Sequence, residues 1–157
     1  MLTPRPATLE DAPLLTTHRH AMFAEMGKAS NDALETMSLH FAPWVRRMIA
    51  EGKYLGWIVE DDGRSVASAS VFLLEWPPHP LDPSNDHRGY LLNMYVDPAY
   101  RGQGLAKNLV RVCLDETRRR GIRVASLHAS DAGRSLYELF GFAPTNEMFY
   151  VAPAQTI

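Results

Sequence analysis

The stretch Val96-Asp97-Pro98-Ala99-Tyr100-Arg101-Gly102-Gln103-Gly104-Leu105-Ala106 constrains this chain more than any other. Ahead of it, Tyr90 to Val96 is an apolar run that reads as a strand. Asp97-Pro98 ends that strand, because proline has no amide for a ladder and fixes its own φ. Beyond Gly104, the residues Leu105, Leu109, Val112, Cys113 and Glu116 recur on one helical face. A strand, a glycine-bearing turn and a helix start together make an anion site. The first amides of a helix have no partner within it, and the helix dipole adds roughly half a positive charge there. Glycine at 102 and 104 keeps Cβ atoms out of the approach, and Arg101 offers a forked donor matched to phosphate oxygens. The expected ligand is a phosphate-bearing cofactor, a diphosphate, cradled by Arg101, Gly102, Gln103, Gly104, Leu105 and Ala106.

Two common phosphate loops do not fit. A Walker loop requires Gly-Lys-Ser/Thr at its end, and here Lys107 lies between Ala106 and Asn108. The dinucleotide fingerprint needs a glycine at 107. What does fit is Arg101-x-x-Gly104-x-Ala106, which resembles the Q/R-x-x-G-x-G/A signature of the GNAT superfamily of N-acetyltransferases. The resemblance takes in the preceding Tyr95-Val96-Asp97-Pro98. It extends to a second segment, Leu127-His128-Ala129-Ser130-Asp131-Ala132-Gly133-Arg134-Ser135-Leu136-Tyr137-Glu138-Leu139-Phe140-Gly141-Phe142. Together the two motifs span about residues 90–145.

The resemblance implies a fold and a reaction. The fold is mixed α/β, a central mixed sheet flanked by helices in the order β-α-α-β-β-β-α-β-α-β. The cofactor is acetyl-CoA, with CoA as product. Its pyrophosphate would lie on amides 102 to 106, and its pantetheine arm would add to the strand at Met94, Tyr95 and Val96 as a peptide adds to a sheet edge. Ser130, Gly133 and Arg134 would face the same channel. Tyr137 would be the general acid for the departing thiolate; a phenol is protonated at neutral pH and comparable in acidity to a thiol. The activity implied is transfer of an acetyl group to a primary amine by direct attack on the thioester. The acceptor is a small-molecule or peptide amine. A non-catalytic acyl-CoA-sensing module on the same fold is the alternative, and a homodimer is implied by resemblance only.

Residues 1–157 read as one domain, long enough to bury a core. Leu2 to Ala7 is a proline-bearing strand fit only for a sheet edge. A helix runs from a cap at Thr8 to Met26 and stops at Gly27. A second spans Ser30 to Glu51, and Pro43 should kink or split it. Lys53 to Glu60 and Ser65 to Trp76 form a hairpin about Asp61-Asp62-Gly63-Arg64. A proline-rich loop follows, then strand 90–96 and helix 102–120. Arg123 to Ala129 is the next strand, Asp131 to Phe140 a helix capped by Ser130 or Asp131, and Glu147 to Ala152 a closing strand. Pro153 to Ile157 is a tail.

A net charge of −2 excludes a general attraction to nucleic acid. The cluster Arg118-Arg119-Arg120 reads as a helix C-terminus offsetting the dipole before Gly121. Cys113 is the lone cysteine, so no disulfide forms within the chain. No run has membrane-spanning length and no leader pattern opens the chain, so a cytoplasmic location is expected. His18 and His20 are two apart on a helix and point away from each other, so no metal site is expected. Glu75, Asp86, His87, Tyr90 and Asn93 are all candidates for the base that takes the amine proton, and the spacing singles out none. Asn93 is better suited to orient an amine. His128 could face the pantetheine or be a satisfied strand histidine.

Overall fold

The computed structural model describes residues 2–154. The chain runs through β1 (Arg5–Pro6), α1 (Ala12–Met26), α2 (Asn31–Ala50), β2 (Tyr54–Asp61), β3 (Arg64–Glu75), β4 (His87–Val96), α3 (Leu105–Arg119), β5 (Ala125–Leu127) and α4 (Arg134–Glu138). The five strands form one sheet in sequence order. Neighbours are antiparallel from β1 to β4, and β5 joins β4 in parallel after the α3 crossover. Pro6 sits on the edge strand, where its missing amide breaks no inner ladder. No helix of the described residues is long and apolar enough to cross a membrane.

Alternation along the strands splits the core in two. Val59, Ala67, Ala69, Val71 and Leu91 pack against Leu105, Leu109, Val110 and Cys113 of α3. Tyr54 and Ile58 face the other way, onto Ala12 and Leu15 of α1 and Phe41, Val45 and Met48 of α2. α1 ends at Gly27 in the left-handed region, φ 67°. α2 starts where the Ser30 hydroxyl accepts from the Ala33 amide at 3.2 Å.

Two sequence expectations change: a split of α2 at Pro43, and the closing strand. Pro43 does not split α2, which is continuous from Asn31 to Ala50. Pro43 is exposed, and the carbonyl it leaves without a donor belongs to Leu39, itself 77% exposed, so water can take the lost bond. The closing strand is absent as well: residues 147–152 carry no regular structure, and Met148 to Val151 are 72–91% exposed. A strand needs a partner along its length, and β5 is only three residues long. The other departures are small. The strand expected at 123–129 pairs only over 125–127, and α3 starts at Leu105, after the loop.

Gly89 holds α3 close to the sheet. A Cβ built there would lie 2.8 Å from Cγ2 of Thr117, a buried residue whose hydroxyl is bonded to the Cys113 carbonyl at 2.8 Å. Thr117 is therefore fixed and cannot turn aside. Gly89→Ala should destabilise the protein by about 1–3 kcal/mol through overpacking, read from the urea midpoint at unchanged slope.

On the α1 face, small side chains on β3 make room for a histidine. His18 is 5% exposed, with its Nδ1 2.7 Å from Ser68 Oγ and its ring 4.5 Å from that of Tyr95. Burial pushes its pKa down to about 4, with Asp97 opposing weakly. His20 instead meets Ser38 at 3.0 Å, so the two histidines serve different contacts. The unfolded chain takes up a proton near the ordinary histidine value while folded His18 does not. Stability should therefore fall as pH drops from 6.5 to 4, by up to about 3 kcal/mol. His18→Gln, which cannot titrate, should flatten this part of the profile in urea unfolding measured across that window.

Candidate active site

The cavity is created by an irregularity in β4. Ser68 and Ser70 on β3 face Tyr95 and Leu92, so β4 carries one extra residue between them. That bulge centres on Asn93, at φ +56°. Asparagine is among the few side chains that visit the left-handed region without heavy strain. As a result Leu92 and Asn93 both lie on the α1/α2 face, and beyond them Met94 and Val96 return to the α3 face. β5 pairs with β4 only from Gly89 to Leu91, so the edge of β4 from Leu92 to Val96 has no strand beside it. A cavity of about 630 Å³ opens at this divergence, between α1, β4, the start of α3 and α4.

One end of the cavity is the glycine loop. Asp97 caps the turn, accepting from the Ala99 amide at 2.9 Å, and also pairs with Arg64. Tyr100 donates to Asp61 at 2.8 Å, so the turn is pinned to the β2–β3 hairpin. Gly102 and Gly104 take φ +77° and +82°, positions where a side chain would be strained. No side chain caps α3. Among the described residues, the amides of 102 to 107 have no acceptor, and Gly102, Gly104, Leu105, Ala106 and Lys107 line the cavity. Six amides, two Cβ-free positions and a helix dipole fit a diphosphate. Arg101 stands beside them, but its Nε donates to the Val96 carbonyl at 3.0 Å and its Nη2 reaches both carboxylate oxygens of Glu25 at 2.7 and 2.8 Å.

The other wall comes from the second motif. Ser130 Oγ accepts from the Gly133 amide at 3.1 Å, and its carbonyl takes the Arg134 amide at 3.0 Å, which sets the turn into α4. Ser130, Gly133 and Tyr137 line the cavity. The Tyr137 ring packs edge-on to Phe142 at 5.9 Å, and burial pushes its pKa up to about 12, so the phenol keeps its proton. Its hydroxyl has no hydrogen-bond partner among the described residues.

Of the residues expected from sequence, Met94, Val96, Arg101, Gly102, Gly104, Leu105, Ala106, Ser130, Gly133 and Tyr137 come together at this cavity. Tyr95 does not line it; its ring turns to His18 on the far face, and only its backbone follows the free edge. Gln103 is exposed off the wall, and Arg134 pairs with Glu138 at 2.9 Å. Among the base candidates, Glu75, Asp86 and His87 lie away from the cavity, and His87 pairs with Asp86 at 2.7 Å. Tyr90 and Asn93 do line it. The Tyr90 hydroxyl is hydrogen-bonded to His128 Nδ1, so His128 also faces the cavity.

Arg19 was not legible as a site residue. It reaches the cavity from α1, and its Nη1 donates to Asn93 Oδ1 at 2.5 Å. Asn93, 2% exposed, donates in turn to the Tyr54 hydroxyl at 2.7 Å. The guanidinium lies between the rings of Phe23 and Phe41, at 4.9 and 5.0 Å. It lies four residues before Phe23 on α1 and belongs to no motif of the sequence.

The sequence model of the Acetyltransferase (GNAT) family matches residues 19–142. A GCN5-related N-acetyltransferase from Ralstonia eutropha JMP134 superposes with a TM-score of 0.92 at 38% identity, over 97% of this chain and 99% of that one. A predicted acetyltransferase with acetyl-CoA from Clostridium acetobutylicum superposes with a TM-score of 0.88 at 26% identity, over 97% and 96%. The [ribosomal protein bS18]-alanine N-acetyltransferase of Escherichia coli is 31% identical over 109 residues, 66% of each chain. The chain spans 40% to 80% of the lengths of the first curated relatives it matches. With the family's signature segment forming the loop at the mouth of the cavity, the chain belongs to the GNAT family of acetyltransferases.

Proposed function

We propose that this protein is an acetyl-CoA-dependent N-acetyltransferase that transfers an acetyl group to a primary amine by direct attack. The observation that carries the reading is the run of acceptor-free amides from 102 to 107, opening on a cavity beside the unpaired edge of β4. A structure from Clostridium acetobutylicum with 26% identity is described with acetyl-CoA, which supports the same cofactor here.

Acetyl-CoA, when bound, supplies the acetyl group as a thioester. The residues of this chain do the rest. Amides 102 to 106 bind the pyrophosphate, with Arg101 adding charge at the rim once it parts from Glu25. The backbone of Met94, Tyr95 and Val96 orients the pantetheine arm along the free edge, and an amide there polarises the carbonyl oxygen. Ser130 and Gly133 shape the opposite wall, with Arg134 and Gln103 at its margin. Tyr137 holds the proton that the leaving thiolate needs, and its burial keeps the phenol protonated in the free protein.

Thermal unfolding with acetyl-CoA at about a hundred times its dissociation constant should show stabilisation of roughly 2.7 kcal/mol. CoA should act likewise and NAD should not; no rise with either CoA species would sink the reading. Stabilisation without transfer to any amine would favour an acyl-CoA sensor instead. Tyr137→Phe should lower kcat by roughly 100-fold or more while the acetyl-CoA stabilisation persists. Unchanged turnover at saturating amine would remove Tyr137 as the acid.

A further inference from the structure

Arg19 carries a charge that the protein does not balance. Among the described residues no carboxylate lies within 4 Å of it; Arg47, Arg88, Arg111 and Arg123 also lack one, but of these arginines only Arg19 lines the cavity. Five N–H donors have one acceptor, the Asn93 amide oxygen, and the buried Nε has none. Burial lowers the Arg19 pKa, which reports the same uncompensated desolvation. An arginine so placed is costly to the free protein, and an anion is what would relieve it.

That anion is not the cofactor's diphosphate. Glu25, which touches Arg101 at the glycine loop, lies six residues further along α1, so Arg19 is about 9 Å back along the helix axis. Arg19 instead touches Asn93, the residue just before Met94, where the reactive end of the cofactor is read to lie. Tyr90 and His128 line the same cavity. Glu25 is the one carboxylate among the described lining residues, and it is held by Arg101. A dicationic acceptor would meet an uncompensated cation here; an acceptor with an anionic group next to its amine would meet its complement.

Resting on the transferase reading above, we propose that Arg19 is the carboxylate subsite of the acceptor, and that the acceptor is a free amino acid. Its carboxylate takes the open donors of the Arg19 guanidinium at the Asn93 bulge. Its amine is thereby held one residue from Met94. The amine nitrogen forms the bond to the acetyl carbon, the carbon–sulfur bond breaks, and the amine gives up a proton as the thiolate gains one.

The test measures CoA release from acetyl-CoA with a panel of amino acids, each beside its primary amide and its decarboxylated amine. Acetyl-CoA binding is followed separately by thermal shift. We expect kcat/KM for the amino acids to exceed that of the matched amides and amines by about 10- to 100-fold, as loss of a charged hydrogen bond implies. Arg19→Met keeps the packing between Phe23 and Phe41; it should raise KM for the amino acid and collapse the preference, with acetyl-CoA affinity unchanged. Arg19→Lys should restore part of the preference, which a purely structural role would not produce. Equal turnover of amino acids and their amides, or a preference for peptide N-termini, would overturn the proposal and leave the transferase intact. Failure to bind acetyl-CoA would bring down the transferase reading, and the acceptor proposal with it.

Discussion

Asn93 in the left-handed conformation, at the middle of β4, is the constraint on which the rest of the site depends. One extra residue in a strand reverses the facing of everything after it. Here it puts Leu92 and Asn93 on the same face and sends Met94 and Val96 to the other. The pairing of β4 with β5 ends at Leu91, just before the bulge. The bulge lies on the free edge of β4, along which the cavity opens towards the glycine loop. The Asn93 side chain is fixed by Arg19 on one side and Tyr54 on the other, and burial raises the Tyr54 pKa to about 12, so that the phenol stays a neutral partner.

The sheet separates tasks between its faces. The α3 face is apolar and closely packed, with Gly89 letting the helix approach and Cys113 buried as an unreactive thiol whose pKa is pushed up to about 12. The α1 face is more polar near β3 and β4, where Ser68, His18, Asn93 and Arg19 meet. Polar groups at that depth are tolerated because most have partners. Three side-chain atoms among the described residues are buried without one: Arg19 Nε, Ser70 Oγ and Arg88 Nε, the last on a guanidinium that lies over the Trp76 ring. Rigidity on one face and unsatisfied polarity on the other is the arrangement expected of a scaffold that carries a binding site.

The parts of this fold that local rules govern were legible in the sequence. Gly102 and Gly104 announced the loop, Pro98 ended its strand, Ser30 and Gly27 marked helix ends, and the hairpin turned where Asp62-Gly63 predicted. The misreadings are cases where distant context decided. Pro43 stayed helical because the lost bond faces water, a matter of α2's orientation and not of its own residues. Glu147 to Ala152 has strand-like residues but no strand to pair with. Arg19 and Asn93 are 74 residues apart, and Tyr90 and His128 are 38 apart. No spacing rule reaches that far, so their meeting became visible only in three dimensions. Asn93 itself could be flagged, since asparagine is depleted in strand interiors and tolerant of positive φ.

The ion pair between Arg101 and Glu25 gives the loop a built-in rival ligand. A carboxylate tethered to the end of α1 competes for that guanidinium at a high effective concentration, whatever the solution contains. Both side chains are about half exposed, so the pair is worth little, within about 1 kcal/mol. A competitor of that size weakens the binding of a small monovalent anion held by the arginine alone by at most about fivefold. It is trivial for a ligand that also engages the backbone amides. On the cofactor reading proposed above, the pair favours an anion that makes several contacts at once over one held by Arg101 alone.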